Sequence, residues 1–176
     1  MRYRRADIKG ATYFFTLNLA NRKSTLLIDK INELRESIRH VKQKYPFDIN
    51  AIVILPEHLH AMITLPKNDN DFATRWMLIK AHFSRQIPKG ERVNASKAKK
   101  RERGIWQRRY WEHMIRDEAD YQAHINYIHY NPVKHGYVEK ASQWPHSSIH
   151  RYIRNGDATE DWAHQEKNVE NNWGEV

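Results

Sequence analysis

The chain has 176 residues, with 30 Lys and Arg against 21 Asp and Glu, and no cysteine. That length suits one domain with a real core, and the lack of thiols excludes disulfides, thiolate metal sites and cysteine nucleophiles while matching a reducing cytoplasm. A formal charge of +9 points to a polyanion such as nucleic acid; no apolar run reaches a membrane span, and no apolar segment follows the basic N-terminus as a secretory signal would require.

Thr12 to Leu19 alternates, with Tyr13, Phe15, Leu17 and Leu19 on one side, and predicts a half-buried strand. Leu27, Ile31, Leu34, Ile38, Val41 and Tyr45 recur at helical steps up to Pro46. Phe47, Ile49, Ala51, Val53 and Leu55 read as one face of a second strand. After Pro56-Glu57 a third strand puts His58 and His60 on one face and Leu59, Ala61, Ile63 and Leu65 on the other. Asp71 caps a helix carrying Phe72, Trp76, Ile79 and Phe83 as far as Pro88.

Residues 89–104 hold seven Lys or Arg against two Glu and read as a flexible basic loop, either solvated or in contact with DNA. Ile105 to Ile115 alternates as a further strand. Asp117 caps a helix through Asn131, where Pro132 is expected to stop it and Gly136 suits the exit. This order predicts an α+β fold, a ferredoxin-like or RRM-like antiparallel sheet with helices packed on it. A single domain over residues 1–154 is followed by an acidic, partly disordered tail, residues 155–176, whose Trp162 and Trp173 imply that part of it docks.

Two imidazoles converging from one strand face can ligate a divalent metal, although such a pair is as readily a packed one. At about 100° per residue, Tyr121, Ile125 and Ile128 form the core stripe of the 117–131 helix, and Tyr130 points away. Tyr127 falls on the flank with Asn131 one turn on, so both can address one point. An amide oxygen beside imidazoles suits Mg2+ or Mn2+. A phenol next to such a metal can attack a phosphodiester and form a phosphotyrosine. The alternative is a packed helix rich in tyrosine.

The motifs P-E-H-L-H (56–60), W-Q-R-R-Y-W-E-H (106–113) and Y-I-H-Y-N-P-V-K-H-G (127–136) resemble those of the HUH single-tyrosine, IS200-like transposases. The branch is the REP-associated tyrosine transposases, to which Y-R-R (3–5), Gly10, Y-F-F-T (13–16) and W-P-H-S-S (144–148) are also similar. The resemblance implies a metal-dependent endonuclease and strand transferase working in the cytoplasm, on the nucleoid. Its DNA would be single-stranded and folded into small imperfect palindromes. His58 and His60 would be metal ligands, Tyr127 the nucleophile that joins a DNA 5′-phosphate, and Asn131 a third ligand. The basic loop is longer than in compact members, and the acidic tail resembles variable extensions of the branch. By its charge the tail is expected to occupy or shield the DNA groove. Arg4, Arg5, Lys9, Arg108 and Arg109 are candidate DNA contacts, or ordinary solvated charges. The enzyme would act as a monomer or homodimer. The competing reading is a non-catalytic hairpin DNA- or RNA-binding module, and a third is a metal phosphodiesterase that uses water.

Overall fold

A computed structural model describes residues 8–91, 99, 103–162 and 173–175. Its strands are β1 (Thr12–Asn18), β2 (Asp48–Ile54), β3 (His58–Thr64) and β4 (Trp111–Met114). The helices are α1 (Leu26–Asp29), α2 (Ile31–Lys44), α3 (Phe72–Gln86), α4 (Glu118–Lys134) and α5 (Ile149–Asn155). The sheet has the order β2-β3-β1-β4 with every neighbour antiparallel. This is the ferredoxin-like arrangement expected from the element order.

Alternation along β1 sorts side chains between two cores. Tyr13, Phe15, Leu17 and Leu19 pack with Leu34, Trp76 and Phe83 under α2 and α3. Phe14 packs with Met62, Val53, Ile125 and Ile128 under α4. Both faces of β1 are therefore covered, and the strand is buried on both sides rather than half-buried. Each fully buried aromatic or aliphatic side chain contributes about 1.5–3 kcal/mol relative to exposure.

Three local expectations change. In β2 the register slips between Ile49 and Ala51. An extra residue in the ladder turns the strand over, so Ile49 and Ile52 join the larger core while Ala51 and Val53 join the smaller one. The 105–115 strand is interrupted: Trp106 makes one bridge to Leu19, and only Trp111–Met114 pairs with β1. Between them the Lys80 ammonium takes the Gln107 carbonyl at 2.7 Å. Finally, α4 passes through Pro132 to Lys134. So close to the helix end, proline forfeits only a single backbone bond. The turn closes by His135 N–H to the Asn131 carbonyl at 3.0 Å, and Gly136 exits at φ 71°. That extension carries Lys134 into the site described below.

The described ends of the basic loop are pinned, since Arg103 donates to Glu91 at 2.7 Å and to the Ile87 and Pro88 carbonyls at the end of α3. Beyond α5, Lys140 pairs with Asp161 and the Trp162 ring lies 5.8 Å from His129. Among the described residues no helix is long and apolar enough to cross a membrane.

Candidate active site

The site lies between the α4 side of the sheet and α4 itself. β3 supplies His58 and His60, both fully buried, with ring centres 4.9 Å apart. They share a face because two residues separate them on a strand. His58 Nδ1–H donates to Glu57 Oε1 at 2.8 Å, which leaves Nε2 with the lone pair. Burial raises the Glu57 carboxyl, but the His58 bond and Arg22 outweigh it and hold the group below its ordinary value. His60 Nδ1 lies 2.8 Å from Thr16 Oγ1 on β1, so Nε2 is the nitrogen that points into the site. Desolvation by burial depresses His60 to about 3, and the ring is neutral, as a ligand must be.

Tyr127 and Asn131 arrive from α4, one turn apart and both fully buried. The Tyr127 ring packs edge-on to His60 at 5.1 Å. Lys134, two turns beyond Tyr127, places Nζ 3.3 Å from the phenolic oxygen and 4.8 Å from the ring centre. His135, just past the helix, sits 5.3 Å from the His58 ring.

The tail closes this cluster. Glu175 accepts from the Tyr127 hydroxyl, from Asn131 Nδ2 at 2.9 Å and from Lys134 Nζ at 2.9 Å. Its oxygens also lie 3.1 Å from His60 Nε2 and 3.2 Å from His135 Nε2. Burial pushes the Glu175 carboxyl upward, yet these donors overcome it and hold the group far below the carboxylate range. The same burial, followed by the Glu175 charge, drives the Tyr127 phenol well above its ordinary value. With the tail in place Tyr127 is a protonated donor.

The donor set fits a divalent metal. Among the described residues, buried His58 Nε2 and Asn131 Oδ1 have no hydrogen-bond partner, and unsatisfied buried acceptors of this kind suit a cation. His58, His135 and Glu175 each bring a ligand atom within 4.8 Å of the others. The Glu57 carboxylate bonded to His58 Nδ1 stands where the carboxylate partner of a metal-ligating imidazole would stand.

Of the residues expected from sequence, His58, His60, Tyr127 and Asn131 come together here. Arg4 and Arg5 lie outside the described residues. Lys9 is exposed and precedes the Thr12 end of β1, whereas His58 pairs with Asn18 at the other end. Arg108 and Arg109 are exposed before β4. Arg108 lines a cavity of about 660 Å3 on the α3 side of the sheet that shares no residue with the histidine cluster. Glu175 of the tail occupies the cluster itself. Lys134 and His135 lie past Pro132, where residue type alone predicts that the helix ends. Their spacing of seven and eight from Tyr127 was the available signal.

Comparison with known proteins agrees with this architecture. The family model described as "Transposase IS200 like" matches residues 8–131. A REP-associated tyrosine transposase of Escherichia coli K12 is 47% identical over 161 residues, which covers 92% of this chain and 90% of that one. A Haemophilus influenzae Rd protein, described as a candidate for the same activity, is 49% identical over 162 residues, 92% of each chain. A solved REP-associated tyrosine transposase bound to a REP hairpin superimposes with a TM-score of 0.85 at 44% identity, covering 100% of this chain and 98% of that one.

Proposed function

Because this chain belongs to the IS200-like transposases, in their REP-associated branch, we propose that it cleaves and rejoins single-stranded DNA at REP-type hairpins through a covalent phosphotyrosine on Tyr127. The observation that carries this reading is the convergence of Tyr127, Asn131 and Lys134 on one carboxylate. The Glu175 oxygens stand in for the phosphoryl oxygens of a scissile phosphodiester. A hairpin substrate is supported by the REP hairpin bound to the related solved structure.

His58 and His60 would hold a divalent metal, Mg2+ or Mn2+, with Asn131 Oδ1 or His135 as a further ligand. When bound, the metal supplies Lewis-acid polarisation of the phosphoryl oxygen and charge stabilisation in the transition state. Glu57 fixes the His58 tautomer and ring plane. Thr16 does the same for His60. Lys134 places its charge against the phenolic oxygen and lowers the free energy of the phenolate once Glu175 has left. The phenolate oxygen forms the bond to phosphorus, the bond from phosphorus to the 3′ oxygen of the preceding nucleotide breaks, and that oxygen leaves as a 3′-OH. The proton lost by the phenol is in balance the one gained by the 3′ oxygen. Attack by another 3′-OH reverses the step and rejoins the strand with no nucleotide cofactor.

Residues 1–154 form the catalytic unit in this reading, and residues 155–176 a tail that competes with DNA. Arg109, before the edge strand β4 that pairs with Thr16, is an expected phosphate contact. The place of work is the cytoplasm, at the nucleoid. The test is a REP hairpin with single-stranded flanks, incubated with Mn2+ or Mg2+ and run under denaturing conditions. Wild type gives a protein–DNA adduct, and Tyr127→Phe binds the hairpin but gives none. Nicked DNA without an adduct would assign the chemistry to water, and binding alone would leave a hairpin-recognition module.

A further inference from the structure

The tail brings an aromatic ring as well as a carboxylate. Trp173 stacks on His124 with ring centres 3.9 Å apart and planes 16° from parallel. Tyr127 lies 4.8 Å away and the edge of Phe14 5.9 Å away. His124 is itself anchored without the tail. Its Nδ1 lies 2.8 Å from the Asp120 carbonyl, and His113 stacks behind it at 4.8 Å and 13°. Asp120 holds His113 Nε2 at 2.8 Å. The slot is thus a rigid, flat platform beside the phenol.

Between ring and carboxylate the tail presents acceptors and the domain presents donors. The Thr16 hydroxyl donates to the Trp173 carbonyl at 2.6 Å, and Asn18 Nδ2 to the Gly174 carbonyl at 3.2 Å. The passage is narrow, since a Cβ on Gly174 would come within 2.3 Å of the Trp111 side chain. A flat ring, a run of acceptors and then an anion at the nucleophile is the chemistry of a nucleotide.

Resting on the proposed DNA cleavage, we infer that the Trp173 slot over His124 is the subsite for the unpaired base next to the scissile phosphate, and that Trp173-Gly174-Glu175 occupies it as a nucleotide mimic. Base–aromatic stacking is tolerant of base identity, so His124 contributes affinity for a base in the flank. Thr16 and Asn18 take the sugar–phosphate oxygens.

The test uses the full chain carrying Trp173→Ala and Glu175→Ala, without metal. Its probes are a mixed-sequence single-stranded 12-mer and a 12-mer of the same backbone lacking bases. Fluorescence anisotropy is expected to show at least tenfold tighter binding of the base-bearing strand. Adding His124→Ala should remove most of that preference, and His124→Phe should restore it. Wild type, with the slot filled, should show a smaller preference than the double variant. An equal preference with and without the His124 ring would overturn the assignment, as would equal preference in wild type and the double variant. Adduct formation on a REP hairpin is measured in parallel. A His124-dependent preference with no adduct would overturn the transesterification and leave the subsite standing; an adduct without that preference would do the reverse.

Discussion

Glu175→Ala should release the site, and the size of the effect follows from the contacts. The carboxylate takes bonds from Tyr127, Asn131 and Lys134 and lies 3.2 Å from His135 Nε2. A hydrogen bond to a charged group contributes roughly 1.5–3 kcal/mol net. Ordering the three residues 173–175 opposes this by about 1–2 kcal/mol per residue. The closed state is left ahead by about 3 kcal/mol, so fewer than about one molecule in a hundred is open. Removing the carboxylate should raise the rate of adduct formation on a REP hairpin, at subsaturating DNA, by roughly 100-fold. Glu175→Gln should fall between, because the amide keeps the shape and one acceptor but loses the charge. Protonation does not mimic either change near neutrality. A carboxyl held far below its ordinary value keeps its bonds above about pH 4.5 and loses them only as pH falls through that much lower folded-state value. Protonation of Glu175 therefore adds no pH dependence to wild-type closure between pH 5 and 8. The assay is initial adduct rate against DNA concentration for the three proteins in Mn2+. Equal rates and equal apparent affinities for wild type and Glu175→Ala would refute occlusion by the tail.

Other expectations follow from single contacts. Glu57→Gln should weaken divalent-metal binding by about 10- to 100-fold, read by calorimetry, because His58 loses the carboxylate that sets its tautomer. Asn131→Ala and His135→Ala, compared in the same titration, identify the third ligand as whichever loses more affinity. If neither changes it, the metal is held by the β3 histidines without help from α4. His129 is buried against Ser148 and depressed to about 3, chiefly by burial and then by Arg151. Its folded value lies below its unfolded value, so the native state resists protonation and stability falls as pH drops from about 6.5 toward 3. Urea unfolding of His129→Leu should show about 2 kcal/mol less difference between pH 7.5 and pH 5 than wild type. An unchanged difference would mean that His129 titrates alike in the folded and unfolded chain.

Much of the scaffold was legible in the sequence because its signals are local. Period-two alternation placed Tyr13, Phe15, Leu17 and Leu19 on one side of β1, and all four pack together. The cap at Asp71 was readable from residue type, and its side chain accepts from Thr74 N–H. Local signals failed where a neighbour overrode them. A bulge in β2 depends on its partner strand, and the break before β4 depends on Lys80 reaching from α3. The continuation of α4 past Pro132 depends on where in the helix the proline falls.

The sequence by itself determined which residues can share a face: His58 with His60 on β3, and Tyr127 with Asn131 on α4. Strand and helix periods are properties of the backbone and need no knowledge of the rest of the chain. Only the tertiary structure decided that these two faces meet, with Thr16 and Glu57 behind the imidazoles and Lys134 beside the phenol. It also decided what fills the space between them. Glu175 stands 115 residues from His60 and 48 from Tyr127. At such separations no local period links a carboxylate to its partners, and the pairing exists only because the folded chain brings residues 173–175 back against β1.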